Sequence, residues 1–288
     1  MSIRKVVIPT GGMGTRFLPA SKAVSKELLP VLDKPLIQYA VEEAVASGIQ
    51  QVILVTSPGN EALQRYFRLD QPLEDFLKEK GSPEMLERVA ILPNLAQISF
   101  VEQNEPLGLG HAVLMAKEAV GNEPFAVMLA DDVIRGLTPT LSDMIDVHDA
   151  YQGGIIAVEE VSSEEIAGYG IIEPEFLADR IYRVHDLIEK PAPEQAPSTL
   201  AIVGRYILPP EIFDCLEKTP PGTNGEVQLT DGLTLLMARQ PIHAYRFPGT
   251  RYDGGTPLGL LKASLALALE REDTREIIIS TLQKLSAD

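Results

Sequence analysis

The chain has 288 residues, 45% of them hydrophobic, which is ample for a large core in one domain or two small ones. With 25 Lys and Arg against 41 Asp and Glu, the net charge is −16; this excludes a general nucleic-acid binder, which needs a basic face, but not a nucleotide, since a few cations can be gathered in one cleft. The one cysteine, Cys215, excludes an intramolecular disulfide and a cysteine zinc site.

The first apolar run, RKVVIP (4–9), reads as a strand buried on both faces, because Val6, Val7 and Ile8 are contiguous and β-branched. It is not a signal-peptide core, and no later run approaches the ~18 apolar residues of a membrane span, so a cytoplasmic protein without membrane contact is expected. The strand leads into GGMGTRFLPASKAVSKELLPV (11–31), with Gly11, Gly12 and Gly14 followed by Arg16, Lys22 and Lys26. Two phosphate-binding patterns fail here. A P-loop needs Gly-Lys-Ser/Thr where Gly14-Thr15-Arg16 stands, and the dinucleotide fingerprint needs a third glycine where Phe17 stands. Their shared physics survives: bare backbone N–H groups can cradle an anion, and a guanidinium can grip phosphate oxygens.

PLIQYAVEEAVASG (35–48) reads as a helix, with Ile37, Ala40, Val41, Ala44 and Val45 on one face and Gly48 as its stop. QVILVTS (51–57), ISFVEQ (98–103) and FAVMLADD (125–132) read as strands. HAVLMAKEAV (111–120) is a helix between the last two, and a polar helical insertion lies between Asn60 and Asn94. This alternation predicts a parallel sheet flanked by helices. The second half is richer in hairpin-like strands: GGIIAVEEV (153–161), YGIIEPEF (169–176), IYRVHDLIEKP (181–191) and TLAIVGRYILPP (199–210). Helices return at 209–218, where Cys215 reads as a buried helical residue, and at 226–240 and 256–273. No linker separates domains, so one mixed-sheet domain over 1–288 with two lobes, 1–135 and 136–288, is expected.

Ligands of open parallel sheets bind beyond the carboxyl ends of the strands. Three strands end there in distinctive residues: the Gly11–Arg16 loop, Gln103 followed by NEPLGLGHAV, and Asp131 with Asp132. Gln103 can donate to and accept from a base edge, and Gly108 would let a flat ring lie against the backbone. Asp131 is a hard oxygen ligand suited to Mg²⁺ shared with phosphate. Each has a plainer reading. Asp131 and Asp132 could cap a helix or turn, Gln103 could be a loop residue, Asp253 in RYDGGTP could be Asp-Gly turn chemistry, and Glu189-Lys190 before Pro191 could be a solvated pair. His111, His148, His185 and His243 show no ligand spacing; His111 could line the pocket or simply start a helix.

The stretch 11–44, with GLGHAV, YGII, EKP, IVGRYIL, GEVQLTD and RYDGGTPLG, resembles the sugar-1-phosphate nucleotidylyltransferases over nearly the whole chain, from Val6 to about Glu270. The insertion, GLGHAV and GEVQLTD are most similar to the uridylyl branch. The resemblance implies a Rossmann-like α/β fold with a mixed, mostly parallel sheet. It implies transfer of UMP from UTP to glucose 1-phosphate by direct Mg²⁺-assisted attack, in a homo-dimer or homo-tetramer. It further implies that Thr10, Gly11, Gly12, Gly14, Thr15, Gln103 and Gly108 bind the nucleotide, while Arg16 and Lys26 are catalytic and hold its phosphates. Asp131 and Asp253 would hold the metal. Leu109, Tyr169, Gly170, Glu189, Lys190, Val203 and Gly204 would line the sugar-phosphate site. A thymidylyl- or cytidylyltransferase and a non-catalytic regulatory paralogue are the alternatives. Three positions depart from the family pattern: Ser25 where proline usually precedes the lysine, Thr10 where alanine is common, and Gly254 where a larger residue is usual.

Overall fold

The computed structural model describes residues 2–222 and 225–285, so both ends of the expected 1–288 unit lie outside the described range. The first half runs β1 (Lys5–Pro9), β2 (Pro30–Val31), β3 (Lys34–Pro35), α1 (Leu36–Ala46), β4 (Gln51–Thr56), α2 (Glu61–Tyr66), α3 (Gln71–Glu79), α4 (Pro83–Ala90), β5 (Gln97–Glu102), α5 (Leu109–Met115), α6 (Lys117–Val120) and β6 (Phe125–Met128). The second half runs β7 (Asp132–Arg135), α7 (Thr140–Tyr151), β8 (Gly154–Glu160), β9 (Gly170–Ala178), β10 (Ile181–Glu189), β11 (Leu200–Leu208), α8 (Glu211–Leu216), α9 (Leu229–Met237), β12 (Ile242–Arg246), β13 (Thr250–Asp253), α10 (Pro257–Glu270) and α11 (Glu272–Leu285).

Nine strands form one sheet in the order β5-β4-β1-β6-β11-β8-β12-β10-β9. The sheet is mixed. β1, β4, β5 and β6 pair in parallel, as do β8 and β12, while β10 and β11 run against their neighbours. Seven strands therefore share one direction, yet half of the adjacent pairings are antiparallel, so the sheet is less parallel than expected. The strands of the second half are not a simple meander either. Only β9 and β10 form a hairpin, and β11 inserts between β6 and β8. A fully buried strand such as β11, with nine residues hidden from solvent, gains more at the centre than at an edge.

The pleat decides which residues meet which helices. Val6 and Ile8 pack with Ile37, Val41 and Ala44 of α1 and Leu141 and Met144 of α7. Val7 points the other way, to Val113 of α5, Phe213 and Leu216 of α8, and Leu233 of α9. Cys215 is buried in α8 within that second cluster, as expected. The helix expected over 111–120 is divided into α5 and α6 at Ala116, and the strand expected over 125–132 ends at Met128. Two short elements that the pattern did not reveal, β7 and β13, pair antiparallel and set Asp253 opposite Asp132. No helix among the described residues is long and apolar enough to cross a membrane.

Candidate active site

β1, β4, β5 and β6 run in one direction, so the loops after Pro9, Thr56, Glu102 and Met128 gather at one edge of the sheet. There the glycine-rich loop turns through Gly14, which is left-handed at φ 59°; a Cβ at this position would lie 3.2 Å from the Lys26 side chain. A cavity of about 490 Å³ opens between Gly11, Gly12, Lys26, Gln103, Gly108 and Asp131. Thr10 is buried, and its hydroxyl donates to the Val55 carbonyl at 3.0 Å, so it fixes the loop's root rather than presenting a donor. Thr15 is exposed behind the loop, beside Lys22 and Ser21.

Gln103 is buried against this cavity. Its amide nitrogen donates to the Gly108 carbonyl at 3.2 Å and meets His111 Nδ1 at 2.9 Å. The reason for glycine at 108 differs from the expected one. Gly108 is left-handed at φ 94°, and a Cβ there would strike Glu226 Cβ at 2.8 Å and the Val227 carbonyl at 2.9 Å. The neighbour that needs the space is therefore the chain itself.

Asp131 sits in the turn before β7, and Asp253 ends β13. Gly255 shows how close they are. A Cβ at that residue would stand 2.9 Å from Asp131 Oδ2 and 2.9 Å from Asp253 Oδ1. The missing side chain thus leaves a gap between two carboxylate oxygens. Thr256 begins α10 by accepting from the Gly259 N–H at 3.1 Å, which anchors this turn. Lys26 donates to Asp131 Oδ2 at 2.5 Å and stands 3.9 Å from buried Glu27. Burial works to lower the Lys26 pKa, but Asp131 and Glu27 outweigh it, and the ammonium is held above its ordinary value. Burial pushes the Glu27 carboxyl up to about 7 against the pull of Lys26 and of the Ser25 hydroxyl, which donates to it.

A second cavity, of about 390 Å³, adjoins the first and shares Leu109, Leu129 and Asp131 with it. Arg16, Tyr169, Gly170, Glu189, Lys190, Val203, Gly204 and Asp253 line it. Arg16 is exposed and lines this second cavity rather than the first, beside the residues expected for the sugar phosphate. Glu189 accepts from the Thr230 hydroxyl at 2.7 Å, and its other oxygen lies 3.2 Å from Lys190 Nζ. Lys190 itself adopts φ 45°, a left-handed conformation costing a lysine roughly 1 kcal/mol or more; its N–H donates to the Tyr169 carbonyl at 3.0 Å. Gly204 is held for a structural reason. Its N–H donates to Asp132 Oδ2 at 2.7 Å, and a Cβ would lie 2.5 Å from that oxygen.

Behind the second cavity lies a charged network. Arg251, 8% exposed in its side chain, donates to Asp132 Oδ1 at 2.7 Å, to the Tyr169 hydroxyl at 2.7 Å and to Glu159 at 2.5 Å. Its guanidinium carbon lies 5.1 Å from the Tyr169 ring centre. Burial works to lower its pKa, but Asp132 and Glu159 outweigh this and raise it. Arg205, fully buried, donates to Glu43 at 2.8 Å, to the Asp132 carbonyl at 2.7 Å and to the Leu129 carbonyl at 3.0 Å. Of the adjacent aspartates, Asp131 therefore faces the cavities and Asp132 is tied into the scaffold.

Comparison with known proteins assigns the chain. A sequence profile described as nucleotidyl transferase matches residues 5–270. The chain belongs to the nucleotidyl transferase family. It is 44% identical over 281 residues, 98% of this chain and 95% of the other, to a UTP–glucose-1-phosphate uridylyltransferase of Bacillus subtilis (strain 168). A crystal structure of UDP-glucose pyrophosphorylase complexed with UDP-glucose is 43% identical, with a TM-score of 0.83 over 93% of this chain and all of that one. A UTP-bound UGPase from Acinetobacter baumannii is 37% identical, with a TM-score of 0.89 over 98% of this chain and 99% of that one. The fold is thus the mixed α/β fold of these nucleotidyltransferase structures.

Of the residues expected at the site, all but Thr10, Gly14 and Thr15 line one or other of the two cavities, and Thr10, Gly108 and Gly204 have scaffold contacts that account for them. The sequence reading missed Glu27, Thr230, Arg205 and Arg251. Arg251 lies two residues before Asp253 in the quoted RYDGGTP, so its motif was in view. Its partners are 82 to 119 residues away, and no local pattern reveals such pairs.

Proposed function

We infer that this nucleotidyltransferase transfers the UMP group of UTP to glucose 1-phosphate, giving UDP-glucose and pyrophosphate. One observation carries this reading. Two cavities suited to different ligands meet at Asp131, and the carboxylates of Asp131 and Asp253 face the same gap at that junction. The first cavity, formed by the lobe 1–135 together with Glu226, would take the nucleotide; the second, formed largely by 136–288, would take the sugar phosphate.

The gap beside Gly255 fits a magnesium ion. Two hard carboxylate oxygens line it: Asp131 Oδ2, which Lys26 also reaches, and Asp253 Oδ1, which also accepts from the Gly255 N–H at 2.9 Å, so the ion would share both with these donors or take the partner oxygens. Mg²⁺ is commonly held by one or two carboxylates, with substrate phosphates and water completing its shell. When bound it would supply positive charge to the phosphates. The chain's own residues do the rest. A phosphate oxygen of glucose 1-phosphate is already ionised and attacks the α-phosphorus of UTP. A new P–O bond forms, and the α–β bridge breaks, releasing pyrophosphate. No side-chain base or nucleophile is needed. The difficulty is bringing two polyanions together, so positioning and charge do the work. Lys26 reaches the junction through Asp131, while Arg16 and Lys190 line the second cavity, where they would meet the sugar phosphate. Glu189, oriented by Thr230, would accept from sugar hydroxyls.

The test is pyrophosphate release from each nucleoside triphosphate with glucose 1-phosphate. UTP should be the preferred donor. Preference for dTTP or CTP would make the chain a thymidylyl- or cytidylyltransferase, and no release would favour a regulatory paralogue.

A further inference from the structure

We propose that His111 is the positioning residue that sets which nucleobase the first cavity accepts, by locking the Gln103 amide with its oxygen toward the ligand. This rests on the uridylyl reading above and concerns how that site selects its base.

The lock follows from the donor and acceptor inventory. An amide nitrogen carries two N–H donors, and an amide oxygen only accepts. The Gly108 carbonyl can only accept, so the Gln103 atom 3.2 Å from it is the nitrogen. The same nitrogen lies 2.9 Å from His111 Nδ1. Its two hydrogens are therefore used by Gly108 and His111. For this, Nδ1 must be the unprotonated ring nitrogen, with the proton on Nε2. Both acceptors come from one turn of chain. Gly108, left-handed at φ 94°, directs its carbonyl back to Gln103, and His111 follows in the first turn of α5.

What remains of Gln103 is its Oε1. No described residue donates to it, and it is not among the sealed, unpartnered polar atoms of the described residues, so it opens onto the cavity. It lies beside Gly11, where a Cβ would approach it to 3.1 Å. Glycine at 11 thus keeps access to this oxygen as well as to the loop backbone. The sequence alone allowed Gln103 to donate or to accept; the locked amide only accepts. At the ring-nitrogen position of its pairing edge uracil offers an imide N–H, whereas cytosine offers a bare nitrogen there and carries its donor on the exocyclic amine; the device therefore places Oε1 opposite the ring nitrogen. An acceptor-only Gln103 complements uracil and repels cytosine. Thymine shares the uracil edge, so this device leaves the uracil–thymine choice untouched.

The experiment compares kcat/KM for UTP, CTP and dTTP, with glucose 1-phosphate, in the wild type, His111→Leu and His111→Asn. Leucine removes the acceptor and frees the amide to turn. The UTP-to-CTP ratio should fall roughly 10- to 100-fold, the scale of one mismatched buried polar contact. The loss should appear mainly in the KM for UTP. The UTP-to-dTTP ratio and the KM for glucose 1-phosphate should stay within about twofold. His111→Asn, which keeps an acceptor oxygen, should recover part of the selectivity. An unchanged UTP-to-CTP ratio, or equal losses with all three nucleotides, overturns the proposal. Nitrogen NMR of the wild-type histidines reads the lock without any variant. A bare His111 Nδ1 with a protonated Nε2 is expected, and a protonated Nδ1 at neutral pH overturns the proposal even if the leucine variant does not fold. Failure of the wild type to use any nucleotide would sink the uridylyl reading instead, leaving the NMR result to stand alone.

Discussion

The two cavities that meet at Asp131 are built by opposite means. The first is built around main chain: Gly11 and Gly12 keep it open, and Gln103 and Glu27 are the buried polar side chains that line it. Among its described lining residues Lys26 is the cation, half-buried and paired with Asp131, while Lys22 stays exposed beside Thr15 outside this cavity. The second is backed by charges locked together, with Arg251 and Arg205 binding Asp132, Glu159, Glu43 and Tyr169 into one block. On the proposed reading, the difference suits what each would hold. A triphosphate is flexible and changes charge distribution during reaction, so backbone donors and long cations suit it. A sugar ring is read by hydroxyl positions, and that needs groups that do not move.

The contrast breaks first at the junction, where neither design alone suffices. Asp131→Ala or Asp253→Ala should lower turnover roughly 10³-fold or more, on the scale of losing several kcal/mol of charge stabilisation. Steady-state rates against Mg²⁺ concentration would check this, with circular dichroism to confirm folding. Near-normal rates in either variant would detach that carboxylate from the chemistry.

On the nucleotide side, Lys26→Ala should reduce kcat by roughly 10²–10³-fold with a smaller change in the KM for UTP. The ammonium is already drawn to the junction by Asp131. If the whole effect fell on KM, Lys26 would be a ground-state binder only.

On the sugar side, the expected failure is one of architecture. Arg251→Met strands Asp132 and Glu159 without their partner, and removing one member of a buried pair costs about 3–5 kcal/mol. Urea unfolding would measure this. In the surviving enzyme, the KM for glucose 1-phosphate should rise more than that for UTP, because Tyr169 loses its anchor. Equal rises would show that Arg251 serves both cavities.

The smallest effect separates the two designs by pH. The Glu27 carboxyl is raised from 4.5 to about 7 by burial, with Lys26 and Ser25 opposing. A raised pKa means that stability is fully present below the unfolded value and is lost as pH climbs through the folded one. Between about pH 4.5 and 7 the wild type should therefore lose roughly 1–3 kcal/mol relative to Glu27→Gln. Parallel urea midpoints for the two proteins across that range would show that Glu27 is not strained.

The same contrast explains what the sequence could disclose. The glycine-rich loop was legible because its glycines and cations lie within 16 residues of one another, from Gly11 to Lys26. The strands beside it carry contiguous apolar cores in β1 and β4 and an apolar alternation in β5, so all three were read to within a residue or two. The sugar side was legible only as isolated letters. β7 and β13 have four residues each and no periodicity to detect, yet their pairing sets Asp253 opposite Asp132. The position of β11 between β6 and β8 depends on contacts remote in sequence, and α7 and β12 were passed over.

The partition between the cavities is thin, with Leu109, Leu129 and Asp131 common to both linings. On the proposed reading, the joined product would reach across it and engage both linings at once. Tethering makes the second engagement intramolecular, at an effective concentration in the millimolar range for a short connection. UDP-glucose should then be retained more tightly than either half alone. A thin wall that favours bond formation would thus slow the departure of what it makes, and accumulated product would throttle the enzyme at its own site.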